Sequence, residues 1–294
     1  MPTQDANYPF QTMTANMPRF GRTLILTAAA MIAFAANSLL CRAALKHTGM
    51  DAASFTSMRL LFGAAMLYII AAMNRSNGRG NWPSAFALLV YAAGFSFAYV
   101  NLSAATGALL LFGAVQATMT GYGIWKGERL NGLQIAGLLL ALAGLASLLM
   151  PGIAAPPLAT SLLMLLAGIA WGIYSLRGRG ASDPIGVTAG NFLRATPFAA
   201  ALGLLMHDSA SMDAAGLLYA AASGALASGI GYAVWYTALP GLKATHAATV
   251  QLSVPVIAAI GGIVFLGEAV SMRLILASVA TLGGIALVML ERRR

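Results

Sequence analysis

From residue 22 to residue 290 the chain is a succession of apolar runs of about twenty residues, punctuated by glycine, proline or charged residues. A backbone in hydrocarbon must satisfy its own hydrogen bonds, which restricts spanning segments to helices and closed barrels. Barrel strands are ~10 residues long and alternate apolar with polar, whereas Ile135 to Met150 is apolar at nearly every position. The chain therefore reads as an all-α polytopic membrane protein. Only 9% of its 294 residues are charged, against ~25% in a soluble domain, which excludes a water-soluble enzyme. The expected spans are 22–41, 53–73, 83–102, 105–124, 131–150, 158–176, 185–206, 214–237, 245–266 and 270–290, ten transmembrane helices. Residues 1–21 are expected to form a disordered cytoplasmic tail and residues 291–294 a basic cytoplasmic one.

The net charge of +9 carries no basic patch interleaved with aromatics, so nucleic acid is not an expected partner; the charges lie between apolar runs, where they set orientation. With the N-terminus inside, twelve basic residues from Arg19 to Arg294 fall on the cytoplasmic side and only Arg42, Lys46 and Arg273 opposite them. Both termini are then cytoplasmic, and a bacterial inner membrane is the expected location. A rival reading takes Ala33-Phe34-Ala35 as a signal-peptide cleavage site.

An internal repeat argues against that rival. At an offset of 140 residues Gly127-Glu128 matches Gly267-Glu268, Gly144 matches Gly284, Ala104 matches Ala244 and Ala108 matches Ala248. At 137 Phe34, Asn37 and Ser38 match Trp171, Tyr174 and Ser175, and at 135 Arg59 matches Arg194. The matches run in one order through two halves, 22–150 and 158–290. A unit of five helices crosses the membrane an odd number of times, so its second copy must be inverted. Inverted repeats typify secondary transporters with a midplane site at the repeat interface, and cleavage at Ala35 would leave the second copy without a counterpart.

The chemistry-bearing residues fit transport better than catalysis. There is no phosphate-binding G-x-x-x-x-G-K-[ST] loop and no paired-cysteine or H-E-x-x-H metal spacing. With three histidines and one cysteine, Cys41, no metal, cofactor or intrachain disulfide is expected. All eight acids lie in tails or at expected helix ends, whereas proton and sodium relays usually place carboxylates inside the membrane. That favours facilitated transport or exchange over strong ion coupling.

Candidate ligands lie on helix faces. Asn37 and Ser38 share a face of helix one, Tyr91 and Tyr99 a stripe of helix three, and Trp171 and Tyr174 a face of helix six. Trp171 stands out, because a mid-helix indole N–H needs a partner. Gln116 on helix four and Gln251 and Ser253 on helix nine offer neutral polar groups to the two ends of a zwitterion; interhelical glue is the competing role for all three. Arg59 and Arg194 lie within spans, where a charge faces a cavity or caps carbonyls. They are read with His246, Pro255, Glu128 and Glu268 as structural or gating residues, the two glutamates opening the helices that follow them. Gly137, Gly144, Gly283 and Gly284 are read as helix-packing positions, and a homodimer through them has no direct support.

Phe265-Leu-Gly-Glu268 with Pro255 thirteen residues before the glutamate, the weaker Lys126-Gly-Glu-Arg129, and an arginine early in the second helix of each half resemble the drug/metabolite transporter superfamily in its ten-helix EamA-type branch. Within that branch the chain is most similar to aromatic amino acid exporters of the YddG type. The resemblance implies a small-molecule substrate and export across the bilayer. The first half departs from the pattern, carrying Val115 where proline would stand, so helix four should lack a proline kink. The expected function is a secondary transporter exporting small amphiphilic metabolites, aromatic or apolar amino acids first. Helices one, three, four, six, eight and nine would line its cavity, leaving five and ten at the side. An exporter of drugs or nucleotide-type metabolites is the alternative within transport; a channel or membrane-embedded enzyme is the alternative outside it.

Overall fold

The computed structural model describes residues 19–152, 155–242 and 250–290; His246 and both expected tails beyond these limits lie outside the described residues. Among them the chain forms α1 (Arg19–His47), α2 (Ala52–Met73), α3 (Trp82–Tyr99), α4 (Ala104–Trp125), α5 (Gly132–Leu149), α6 (Leu158–Gly178) and α7 (Pro184–Leu205). The composite α8 follows, then α9 (Ser253–Leu266) and α10 (Met272–Leu290). Eight of these rods are long and apolar enough to cross a membrane. Five starts are fixed by a side chain that accepts from a backbone amide of the first turn: Asp51, Asn81, Ser103, Asp183 and Asp213. Asn131 does the same for α5 in a reciprocal box with Gln134. Each cap satisfies an N–H that helix geometry leaves without an intrahelical partner.

Helix α8 changes its winding midway. It is α-helical over Ala214–Ala221, π-helical over Ala222–Ile230 and α-helical again over Gly231–Ala238. The π segment carries Ser223, Gly224, Ser228 and Gly229, small residues that let it press onto α2. A Cβ at Gly224 would collide with the Arg59 carbonyl oxygen and stand 3.0 Å from the Gly63 nitrogen. Helix α9 begins only at Ser253, after a turn at Gln251 and Leu252. The ring of Pro255 clashes with the carbonyl four residues back and lacks an N–H to bond it, and here the helix is interrupted at Gln251 and Leu252. With Val115 at the matching place, α4 runs unbroken.

The main packing pairs are α2 with α7, α5 with α10, α3 and α4 with α6, and α1 with α8 and α9. Helices α5 and α10 touch backbone to backbone. A Cβ at Gly137 would lie 2.6 Å from the Gly284 carbonyl oxygen, and one at Gly144 would lie 2.8 Å from the Thr281 nitrogen. These glycines are used within the chain, whereas Gly283 faces open space. The outer surface is apolar, with Phe265 77%, Val279 68% and Leu139 62% exposed; such faces are stable against lipid and not against water.

Two expectations are corrected. Glu128 and Glu268 do not open the helices that follow, which begin at Gly132 and Met272. Glu268 instead accepts from the first amide of α4, Ala104 N, at 2.8 Å, so the dipole argument holds for a helix of the other half. The second concerns the lining: α4 and α9, expected to line the site, contribute none of the converging side chains described below, whereas α2 and α7 do. Helices α5 and α10 leave an open cavity of about 720 Å³ against α4, whose lining includes Gln116, Thr120, Glu128 and Gln134, because the glycine contact binds them to each other and neither packs closely along α4.

Candidate substrate site

Six helices bring polar and aromatic side chains to one buried place. Asn37 on α1 donates to the Tyr91 hydroxyl on α3 at 3.3 Å and accepts from Ser223 on α8 at 2.6 Å. Asn191 on α7 donates to the Tyr174 hydroxyl on α6 at 3.4 Å. Trp171 stacks on Tyr174 and Tyr232, with ring centroids 5.2 and 5.3 Å away, and leans on Tyr91 at 4.8 Å. Tyr232 also meets Phe34 and Phe192, at 5.7 and 5.9 Å. Trp171 is half-buried while Tyr91, Tyr174 and Tyr232 are buried. The rings occupy the space between them by resting on one another.

Arg59 on α2 stands at the edge of the cluster and is 1% exposed. Its guanidinium carbon lies 4.7 Å from the centroid of Phe95 and 5.1 Å from that of Tyr91. Nε and Nη1 have no hydrogen-bond partner among the described residues, and no carboxylate there forms a salt bridge with the group. Desolvating a cation costs several kcal/mol even after relaxation, whereas a desolvated cation–π contact returns about 2 kcal/mol. The two contacts offset much of that cost but supply no acceptor for Nε or Nη1.

Arg194, which matches Arg59 at an offset of 135 residues in the sequence, behaves differently. It is half-buried, donates to the Gly190 carbonyl of its own helix at 2.9 Å and lies 5.7 Å from the Trp82 ring. Its guanidinium thus has an acceptor on its own helix.

Of the nine residues expected to bind substrate, Asn37, Tyr91, Trp171 and Tyr174 converge. Ser38 is buried on α1 one residue beyond Asn37. Tyr99 packs on Phe95 at 4.7 Å, but its hydroxyl points to the Ala104 carbonyl at 3.3 Å, toward the end of the bundle closed by Glu268. Gln116 faces the cavity beside α5 and α10. Ser253 bonds the Val250 carbonyl at 2.6 Å and Gln251 sits half-buried in the turn before α9. Pro255, in the first turn of α9, faces a separate apolar groove against α10. Ser223 and Asn191 were not expected. The only signal for Ser223 was the density of serine and glycine in Ser223-Gly-Ala-Leu-Ala-Ser-Gly229, and π segments recur at functional sites.

The rods, the apolar outer surface and the polar, aromatic centre define a multi-pass α-helical membrane protein. Residues 158–290 match the EamA-like transporter family. It is 60% identical over 274 residues to the Pseudomonas aeruginosa protein named "Uncharacterized protein PA1977", covering 92% of this chain and 96% of that one. A solved structure described as "Crystal structure of protein" superimposes with a TM-score of 0.66 at 22% identity, over 93% of this chain and 99% of the other, which speaks to the fold. The resemblance expected from the sequence holds as an EamA-like match over residues 158–290.

Proposed function

We propose that the protein is a secondary transporter, facilitative or exchanging, that exports small amphiphilic metabolites by alternating access between two inverted five-helix halves. Aromatic and apolar amino acids are the first candidate cargo. The observation that carries the reading is the central cluster: Asn37 and Tyr91 come from one half, Trp171, Tyr174, Ser223 and Tyr232 from the other. A site divided in this way opens or closes as the halves rock.

The two-fold relation is supported by an exchange of caps. The Asp51 carboxylate at the start of α2 accepts from Ser211 N, in the loop after α7, at 2.9 Å. The Asp183 carboxylate at the start of α7 accepts from Gly78 N, in the loop after α2, at 2.8 Å. Gly127 and Gly267, each just before a matching glutamate, both take positive φ, 93° and 61°. The basic residues support an inner-membrane orientation with both termini cytoplasmic. Every acid among the described residues sits at or beyond a helix end, which favours uncoupled movement or exchange; uphill flux driven by an imposed pH gradient would overturn that part.

The test is counterflow of labelled tryptophan or phenylalanine into proteoliposomes preloaded with unlabelled amino acids, nucleotide sugars or lipophilic cations. Saturable exchange with amino acids is expected. Exchange confined to another class would keep the carrier and replace the cargo, and non-saturating flux would favour a channel.

A further inference from the structure

We infer that Arg59 is the group that receives the cargo's negative end, and that the cargo is a monocarboxylate with an aromatic or branched apolar body. The inference rests on the transport reading and narrows it. A guanidinium has five N–H donors and no acceptor. At Arg59 the guanidinium packs against the neighbouring rings of Phe95 and Tyr91, while Nε and Nη1 find no acceptor among the described residues. The aromatic contacts supply no acceptor to Nε or Nη1, so those N–H groups are left for a ligand. Carboxylate and phosphate oxygens match guanidinium N–H geometry with charge-assisted hydrogen bonds, and a carboxylate does so with a single charge.

The surroundings set the rest of the ligand. Tyr91 touches both the arginine and Trp171, so an anion at Arg59 would have its apolar body directed to the stacked rings of Trp171, Tyr174 and Tyr232. A dianion is disfavoured, since Arg194 is engaged elsewhere with the Gly190 carbonyl. An ammonium would find only neutral acceptors such as Asn37, because the described carboxylates lie at helix ends or in loops. A cationic amphiphile would face the buried charge of Arg59 directly. The carboxylate is therefore required of a ligand and an ammonium is dispensable.

The test is equilibrium binding of three ligands with one phenyl body, 3-phenylpropanoate, phenylalanine and phenethylamine, to the detergent-solubilised full chain. The two carboxylates are expected to bind at least tenfold tighter than the amine, R59Q to abolish that preference, and R59K to keep part of it. Equal binding of the amine, or an undiminished preference in R59Q, overturns the inference and leaves the transporter reading in place. If R59Q does not fold, the wild-type series alone decides. Carboxylate preference without counterflow of any cargo would uphold Arg59 as an anion site and remove transport. Failure of all three to bind, with counterflow of a different class, would do the reverse.

Discussion

Glu268 Oε1 lies 3.0 Å from Arg42 Nε while its Oε2 accepts from Ala104 N at 2.8 Å. Arg42 Nη1 in turn donates to the carbonyls of Tyr99 and Val100 at 2.9 and 2.8 Å. One ion pair thus ties the ends of α1, α3, α4 and α9, across the boundary between the two halves. Its side chains are 11% and 7% exposed, so removing one partner strands the other and costs about 3 kcal/mol. The sole cysteine, Cys41, is buried beside Arg42 and reports on this end. We expect E268Q or R42M to raise maleimide labelling of Cys41 in membranes at least tenfold over wild type. Unchanged labelling would show that the pair does not hold this end shut.

Trp171 touches three tyrosines yet is only half-buried. Its replacement therefore costs less stability than the 3–5 kcal/mol typical of a fully buried tryptophan. We expect W171A to lower counterflow more than tenfold at unchanged membrane level, and W171F, which keeps a ring in the stack, to retain a large part of it. Retained transport in W171A would remove the residue from the site.

Adjacent glycines in α10 separate packing from lipid exposure. A Cβ at Gly284 would clash with the Gly137 carbonyl and lie 3.0 Å from Ala141 Cα, while one at Gly283 meets nothing within 4 Å. Overpacking costs roughly 1–3 kcal/mol. G284V should lower the unfolding temperature by several degrees and G283V should leave it within a degree, as read by thermal unfolding in detergent.

Two loop carboxylates make stability depend on pH. Burial alone would push the Asp51 carboxyl up, but hydrogen bonds from Ser54, Ser211 and Ala53 outweigh it and hold the group below the ordinary 3.8. Amides of Gly49 and Gly216 hold Asp213 low as well. A carboxyl that titrates lower in the folded than in the unfolded state adds stability that is complete above the unfolded value and lost as pH falls through the folded one. Thermal stability should fall below about pH 4 in the wild type. D51N/D213N should fall less steeply over the same range, because asparagine still caps but does not titrate.

Much of this was legible along the chain. The helix starts lie at Asp51, Asn81, Ser103, Asn131, Asp183 and Asp213 because short polar side chains bond the free first-turn amides. The aromatic face of α6 and the polar face of α1 followed from helical spacing, and Asn37, Trp171 and Tyr174 do share a centre. Gln116, Ser253 and Tyr99 carry the same kind of signal and go elsewhere, because periodicity gives a face and not the neighbour it meets.

Sequence by itself determined that the chain is a bundle of membrane helices, since twenty-residue apolar runs have no other stable state in a bilayer or in water. Tertiary structure alone decided that two arginines in matching places differ. Arg194 reaches a carbonyl four residues back on its own helix, a local contact. The setting of Arg59 is built by Phe95 and Tyr91, more than thirty residues away along the chain, and the energy of a buried charge depends on which groups surround it in space.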